Sequence, residues 1–167
     1  MGKIVGAALL AHAPTIMLPE EVRYELNDGK EISLVPGLRR FKNEVMDVLK
    51  PDTVILFDSH WFTTVEFCVT AHDRRTGKFT SDELPRGMSQ VPYDLKGNPE
   101  LARKIAEHAT ICGARTSAND DPYLPIHYPT VNIAHYLHGG EEWITVGCAQ
   151  TGETPDFLAV GEGIGKA

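Results

Sequence analysis

Residues 55–62 of the chain read ILFDSHWF, an apolar segment that runs directly into a histidine. The β-branched and aromatic residues here predict a buried strand over residues 53–58, and His60 follows it. A second stretch has the same form, because residues 4–14 read IVGAALLAHAP and are apolar up to His12. The sequence therefore predicts two strands that each place a histidine just beyond the carboxyl end.

The first part of the chain is typical of a strand–helix–strand unit. The apolar run of residues 3–11 predicts a strand buried on both faces. Residues 13–36 contain Pro, Gly and Asn-Asp-Gly signals that indicate a loop. Residues 38–49 place apolar side chains on one face and charged ones on the other, as an amphipathic helix does. Because such crossovers are right-handed and join parallel strands, strands 3–11 and 53–58 should be parallel neighbours.

The rest of the chain continues the alternation of strands and helices. We expect a strand with one exposed face over residues 64–71, a long loop over 73–97, and a helix over 98–113 that Asn98 caps and Gly113 ends. A second loop over 118–129, a short helix over 130–138, a buried strand over 143–148 and a last helix over 156–166 should follow. This order predicts an α/β fold with a mainly parallel sheet flanked by helices. The last helical pattern reaches the end of the sequence without a following strand, so we expect an apparently truncated domain.

Composition argues against several classes of protein. The 167 residues carry a net charge of −7 and no basic cluster longer than two arginines, so nucleic acid is not an expected partner. No apolar run approaches the roughly 20 residues that span a bilayer, and the N-terminus lacks a signal-peptide pattern. The three cysteines are far apart, which favours reduced thiols in the cytoplasm over disulfides or a structural zinc site.

The two histidines that follow the predicted strands, His12 and His60, are candidate metal ligands. Ligands bind outside the carboxyl ends of strands in mainly parallel sheets, and imidazole is the commonest protein ligand for first-row metals. Two imidazoles and one carboxylate leave open positions on a metal and suit non-haem Fe(II) chemistry with O₂. The alternative is that each histidine simply hydrogen-bonds to the backbone of a loop.

Three segments together resemble the class III extradiol ring-cleavage dioxygenases, of the protocatechuate 4,5-dioxygenase catalytic-chain type. They are AHAPT around His12, FDSHWF around His60, and FTSDELPRGMSQVPYDLKGNPEL over residues 79–101. The last is the most specific, because no general structural demand produces it. The resemblance covers essentially the whole chain and implies that residues 1–167 are the N-terminal part of a single catalytic domain.

By this resemblance the chain is part of a cytoplasmic enzyme that opens the ring of a catechol with Fe(II) and O₂ in aromatic catabolism. The TSDELP and YDLKGNPEL segments favour 3,4-dihydroxyphenylacetate as the catechol. The resemblance implies that His12 and His60 are two Fe(II) ligands, and that a glutamate ligand and an acid/base histidine lie beyond residue 167. It also implies that His127 or Tyr128 contacts the substrate, although a surface-loop histidine is the alternative for His127.

Other side chains near these motifs have weaker signals. Asp58 is a candidate carboxylate for supporting His60, and Trp61 either lines the pocket or belongs to the core. Three arginines are candidates for pairing with a substrate carboxylate, and spacing does not choose among Arg74, Arg75 and Arg86. The remaining histidines have no comparable pattern. His135 and His138 should be exposed to solvent, and His72 and His108 have no signal of their own.

Several other functions are compatible with the same residues. A relative on this fold can act as a binding protein or a subunit without catalysis. A 2-aminophenol-type dioxygenase would use the same chelating geometry. A zinc hydrolase would combine His12 and His60 with a carboxylate such as Glu83 or Asp121. The resemblance also implies a homo-oligomer, since members of that family form dimers or tetramers.

Overall fold

A computed structural model describes residues 2–167 and places a four-stranded sheet between two groups of helices. The strands are β1 (Thr53–Thr63), β2 (Phe67–Thr70), β3 (Arg74–Phe79), β4 (Val91–Lys96), β5 (Thr116–Asn119) and β6 (Glu142–Ala149). The helices are α1 (Glu20–Leu26), α2 (Leu34–Phe41), α3 (Asp47–Leu49), α4 (Pro99–Ile111), α5 (Tyr128–Leu137) and α6 (Thr154–Lys166).

The central sheet has the strand order β1-β6-β2-β5. The outer pairs β1–β6 and β2–β5 are parallel, and the inner pair β6–β2 is antiparallel. The predicted α/β fold with a mainly parallel, helix-flanked sheet is therefore confirmed. The β1–β6 register shifts between Asp58 and Phe62. Such an irregularity re-aims side chains, and it turns the segment that carries His60 out of the regular ladder.

Residues 3–11 do not form the predicted strand. They run as irregular chain, with Ile4 61% and Leu9 101% exposed, and β1 pairs only with β6 among the described strands. A strand needs a partner for its backbone N–H and C=O groups, and a short apolar run does not specify one. Several residues of the run are also small, and Gly and Ala are weak strand formers. The predicted crossover is therefore wrong, and β6 takes the place of residues 3–11 as the parallel neighbour of β1.

The segments predicted as loops contain regular structure. Residues 13–36 include a 3₁₀ turn (Pro14–Met17) and helix α1. Residues 73–97 contain an antiparallel hairpin, β3–β4, and only the part between these strands is irregular. The hairpin has charged residues on its outer face and apolar residues on its inner face, where Phe79, Val91 and Tyr93 pack against the core. Residues 118–129 begin with the end of β5 and end with the first two residues of α5, and the part between them is a loop.

Strand β2 differs from the prediction in exposure. All four of its side chains are buried, although residues 64–71 alternate between apolar and polar types. The polar Thr70 is accommodated because its hydroxyl accepts a 2.8 Å hydrogen bond from the backbone N–H of Thr145. The alternating pattern predicted an exposed face because the sequence does not show that Thr70 has a hydrogen-bond partner inside the protein.

Most predicted helices are confirmed. The helix predicted over 38–49 begins earlier, at Leu34, and passes through a π-helical segment (Lys42–Met46) into α3. Helix α4 has the predicted cap, because the Asn98 side chain accepts the backbone N–H of Leu101. Helices α5 and α6 and strand β6 lie within two residues of their predicted starts. None of the helices within residues 2–167 combines the length and apolar character needed to span a membrane.

The core consists of two clusters, one on each side of the sheet. One contains apolar side chains of α2, α5 and the hairpin, together with Ile16 and Trp143. The other contains side chains of α4, β2, β6 and α6. The first cluster includes Tyr128, whose ring lies against those of His12 and His60.

Gly163 sets the distance between α6 and α4. A Cβ atom at this position would lie 2.4 Å from the backbone nitrogen of Ala109. We expect Gly163→Ala to force the helices apart and lower the free energy of unfolding by about 1–3 kcal/mol. Gly161→Ala is the matched control on the same helix, because a Cβ there meets nothing within 4 Å; it should stabilise by about 0.5–1 kcal/mol. Urea unfolding measures both, and equal effects would contradict this packing.

Arg23 and Glu31 form an ion pair that fixes the segment before α2. The guanidinium contacts Glu31 at 2.5 Å and the carbonyl oxygen of Leu18 at 2.5 Å. The hydrogen bond from Arg23 lowers the pKa of Glu31 from 4.5 to about 2. This contribution to stability is therefore complete above pH 4.5 and is lost as the pH falls toward 2. Urea midpoints of wild type and Glu31→Gln should converge across that interval, whereas a constant difference would contradict the linkage.

Candidate functional site

The structure brings His12 and His60 together, although only His60 lies on a strand. Their ring centroids are 5.1 Å apart and the ring planes are nearly perpendicular, at 77°. Burial lowers the pKa of His12, the charge of His60 lowers it further, and Asp58 opposes both effects. Neutral imidazole is the form that binds a metal. This pair therefore fits two positions of a metal site.

Tyr128 closes one side of the histidine pair. Its hydroxyl and Nε2 of His60 share a hydrogen bond of 2.7 Å, and its ring centroid lies 5.7 Å from that of His12. Burial raises the pKa of the Tyr128 phenol, and the negative charges of Glu83 and Asp58 act in the same direction. The phenol is therefore protonated at neutral pH and has a proton to donate.

Asp58 links the strand that carries His60 to the start of helix α5. Its side chain is fully buried. Oδ1 accepts the backbone N–H groups of His60 and Trp61 at 3.0 and 3.1 Å. Oδ2 accepts the backbone N–H and the hydroxyl of Thr130 at 3.2 and 2.6 Å. The carboxylate thus fixes His60 relative to the helix that contains Tyr128, which gives physical content to the expected supporting role of Asp58.

Helix α5 also positions His12. The side-chain amide of Asn132 donates a 2.9 Å hydrogen bond to the carbonyl oxygen of His12, and Asn132 is fully buried. The Tyr136 hydroxyl donates to the carbonyl of Ile16 in the turn that follows His12. Sequence reasoning missed the roles of Thr130 and Asn132. The available signal was the presence of Thr130 and Asn132 among the apolar residues of the first half of the helix.

His127 lies against Trp61 at the start of α5. The rings are stacked, with centroids 6.1 Å apart and planes at 16°. Trp61 is buried and also covers Gly147, where a Cβ would lie 2.6 Å from the indole ring. Trp61 therefore belongs to the core and also forms a wall beside His127. Burial lowers the pKa of His127, and its Nε2 has no hydrogen-bond partner among the described residues.

The third position of a metal site is not supplied by the described residues. Within residues 2–167, no group of three or more His, Cys, Asp or Glu side chains is placed to hold a metal ion. The carboxylates considered for a zinc hydrolase, Glu83 and Asp121, are therefore not assembled with the histidine pair. The Asp121 side chain instead accepts the backbone N–H of Tyr123.

The three candidate arginines occupy different environments. Arg74 makes a two-point ion pair with Asp94, at 2.6 and 2.5 Å, on the exposed face of the hairpin. Arg86 is exposed in the connection between β3 and β4. Arg75 is half-buried and donates a 2.9 Å hydrogen bond to the carbonyl oxygen of Leu124.

The remaining histidines lie outside the site formed by His12, His60, His127 and Tyr128. His135 and His138 are exposed, as expected, although His138 also accepts a hydrogen bond from the indole of Trp143. His72 is bonded through Nε2 to the carbonyl of Asp121.

The structure is thus an α/β domain with a histidine pair at the edge of a mainly parallel sheet. The sequence model described as the catalytic LigB subunit of aromatic ring-opening dioxygenase matches residues 6–127. The chain belongs to this family, as the sequence motifs indicated.

Curated relatives agree with this membership. The chain is 30% identical to 3,4-dihydroxyphenylacetate 2,3-dioxygenase of Escherichia coli, over 100% of this chain and 60% of that protein. It is 25% identical to the 2-aminophenol 1,6-dioxygenase beta subunit of a Pseudomonas species, over 99% of this chain and 54% of that protein. The chain thus spans somewhat over half the length of these relatives. An uncharacterised E. coli K12 protein of solved structure shares the fold, with a TM-score of 0.50 and 12% identity over 74% of this chain and 43% of that protein.

Proposed function

We propose that this chain contributes to Fe(II)-dependent extradiol cleavage of a catechol by O₂, with His12 and His60 as metal ligands. The observation that carries the proposal is the convergence of these two imidazoles, 5.1 Å apart, beside the Tyr128 hydroxyl. Family membership and the 3,4-dihydroxyphenylacetate 2,3-dioxygenase relative support the same chemistry. A third ligand from outside residues 2–167 is needed, because those residues do not supply it.

In this proposal Tyr128 and His127 act on the substrate. When bound, the metal supplies a template that orients the catechol and O₂. The Tyr128 hydroxyl hydrogen-bonds to Nε2 of His60. If His60 held the metal through that nitrogen, the hydroxyl would be free to donate to a catechol oxygen. His127 has an unpartnered Nε2 and a lowered pKa, and a neutral imidazole can accept a phenolic proton.

We infer 3,4-dihydroxyphenylacetate as the substrate from the 30% identical relative that covers the whole chain. A 2-aminophenol is the second candidate, because the chain also resembles a 2-aminophenol 1,6-dioxygenase subunit at 25% identity. Both ligands chelate through two adjacent ring substituents, so the histidine pair does not distinguish them.

An anaerobic Fe(II) titration of the chain, followed by addition of each candidate substrate and then O₂, tests the proposal. We expect weak Fe(II) binding that 3,4-dihydroxyphenylacetate tightens, since the catechol supplies two further ligand atoms. A yellow ring-fission product would support the activity directly. Failure of the folded chain to bind Fe(II), with or without the catechol, would overturn the proposal.

Tyr128→Phe is expected to separate metal binding from catalysis. Removing the hydroxyl eliminates its hydrogen bond to His60 Nε2, so Fe(II) affinity should be unchanged or a few-fold higher. Ring cleavage should fall by about 10²-fold or more, because a proton donor is lost. The control is Tyr123→Phe, because Tyr123 is exposed and lies outside the site. An unchanged cleavage rate in Tyr128→Phe would assign Tyr128 a structural role.

A further inference from the structure

We propose that Arg75 determines specificity by binding the carboxylate of an acidic catechol side chain. This inference rests on the proposed function and deepens it, because it assigns a residue to the part of the substrate that does not react. The sequence offered three arginines with no means of choosing among them. Their environments in the structure differ enough to select one.

The hairpin places Arg74 and Arg75 on opposite faces. Neighbouring residues of a strand point to opposite sides, and Arg74 projects outward to its ion pair with Asp94. Arg75 is paired across the hairpin with the buried Leu95. It therefore shares the inner face with Phe79 and Tyr93, which pack against the core cluster that includes Tyr128.

Arg75 is a half-buried cation without an ion-pair partner among the described residues. Its one described hydrogen bond goes to the carbonyl oxygen of Leu124, three residues before His127. A guanidinium has five N–H donors in a planar fork, so most of them remain available. Buried charges are normally paired, because removal from water is costly. A two-point contact with a carboxylate would offset that cost.

The charged groups around Arg75 connect it to the site. Burial lowers its pKa, while Tyr93 and the carboxylate of Asp58 oppose that shift. Its own charge lowers the pKa of His127. Asp58 is within electrostatic range, yet the described hydrogen bonds to its carboxylate all come from His60, Trp61 and Thr130. Asp58 therefore leaves the guanidinium free for an incoming anion.

Matched ligands test this assignment. 3,4-Dihydroxyphenylacetate and 4-methylcatechol share the catechol and differ in the carboxylate. Their affinities for the Fe(II)-loaded chain can be measured anaerobically by quenching of tryptophan fluorescence. We expect the wild type to prefer the anionic ligand by about tenfold or more. Arg75→Gln should remove this preference and leave the affinity for 4-methylcatechol unchanged. Arg74→Gln is the matched control on the outer face and should retain the preference.

The outcomes separate the two proposals. Equal wild-type affinities for both catechols, or a preference that persists in Arg75→Gln, would overturn the assignment of Arg75 and leave the proposed function in place. Failure of both catechols to bind would overturn the proposed function and this inference with it. The wild-type comparison needs no variant, so the proposal remains falsifiable even if Arg75→Gln does not fold.

Discussion

Asp58→Ala should lower the free energy of unfolding by about 3–5 kcal/mol, a large part of the stability of a single domain. The alanine would leave four donors without their acceptor, namely the backbone N–H groups of His60, Trp61 and Thr130 and the Thr130 hydroxyl. Unpaired buried donors cost about 1–3 kcal/mol each when no water replaces the partner. The loss should also release His60 from its fixed position relative to Tyr128.

Urea unfolding followed by circular dichroism measures this effect. Asp82→Ala is the control, because Asp82 is exposed in the connection between β3 and β4; its effect should stay within about 0.5 kcal/mol. Thr130→Val removes one of the four hydrogen bonds and should cost about 1 kcal/mol. Combining it with Asp58→Ala should add little, because the two side chains share that bond. Fully additive effects would show that Asp58 does not act through Thr130.

The sequence predicted the fold class and most helices because these depend on local patterns. The helix cap at Asn98, the amphipathic helix before β1 and the apolar strand β6 each arise from residues close together in the chain. The predicted strand over 3–11 failed because strand formation also depends on a partner, and β1 pairs with β6 instead. The hairpin over 73–97 was missed because Gly77 lies inside β3 and Pro92 inside β4, and both residue types usually indicate a loop.

In the candidate site, too, the residues with local sequence patterns were predicted and those that depend on distant contacts were not. Sequence patterns singled out His12, His60 and the His127–Tyr128 pair, and the structure places all four in one region. Their roles as ligands and substrate contacts remain predictions. The side chains that position them were not predictable in the same way. Asn132 bonds to a carbonyl 120 residues away, and Thr130 to a carboxylate 72 residues away. Such contacts depend on the folded arrangement and leave no local pattern.

His12→Ala and His60→Ala should each weaken Fe(II) binding by at least about 100-fold, and in a full-length parent protein that supplies the third ligand each should abolish ring cleavage. Each substitution removes one of the two imidazoles that residues 2–167 bring together. Loss of a residue that merely supports a ligand costs about 10–100-fold in metal affinity, and loss of a ligand should cost more. His135→Ala is the control, because His135 is exposed on α5 and lies outside the site; its affinity for Fe(II) should match that of wild type.

The double variant gives the sharper test of a shared ion. If both imidazoles bind the same metal, removing the second should change the affinity far less than removing the first, since the site is already lost. Anaerobic titration with Fe(II), or with Co(II) read by its visible absorption, measures all four combinations. Independent, additive losses would point to two separate binding sites. Retained metal stoichiometry in either single variant would overturn the ligand assignment, and the 2.7 Å bond between His60 and Tyr128 would then be a structural contact.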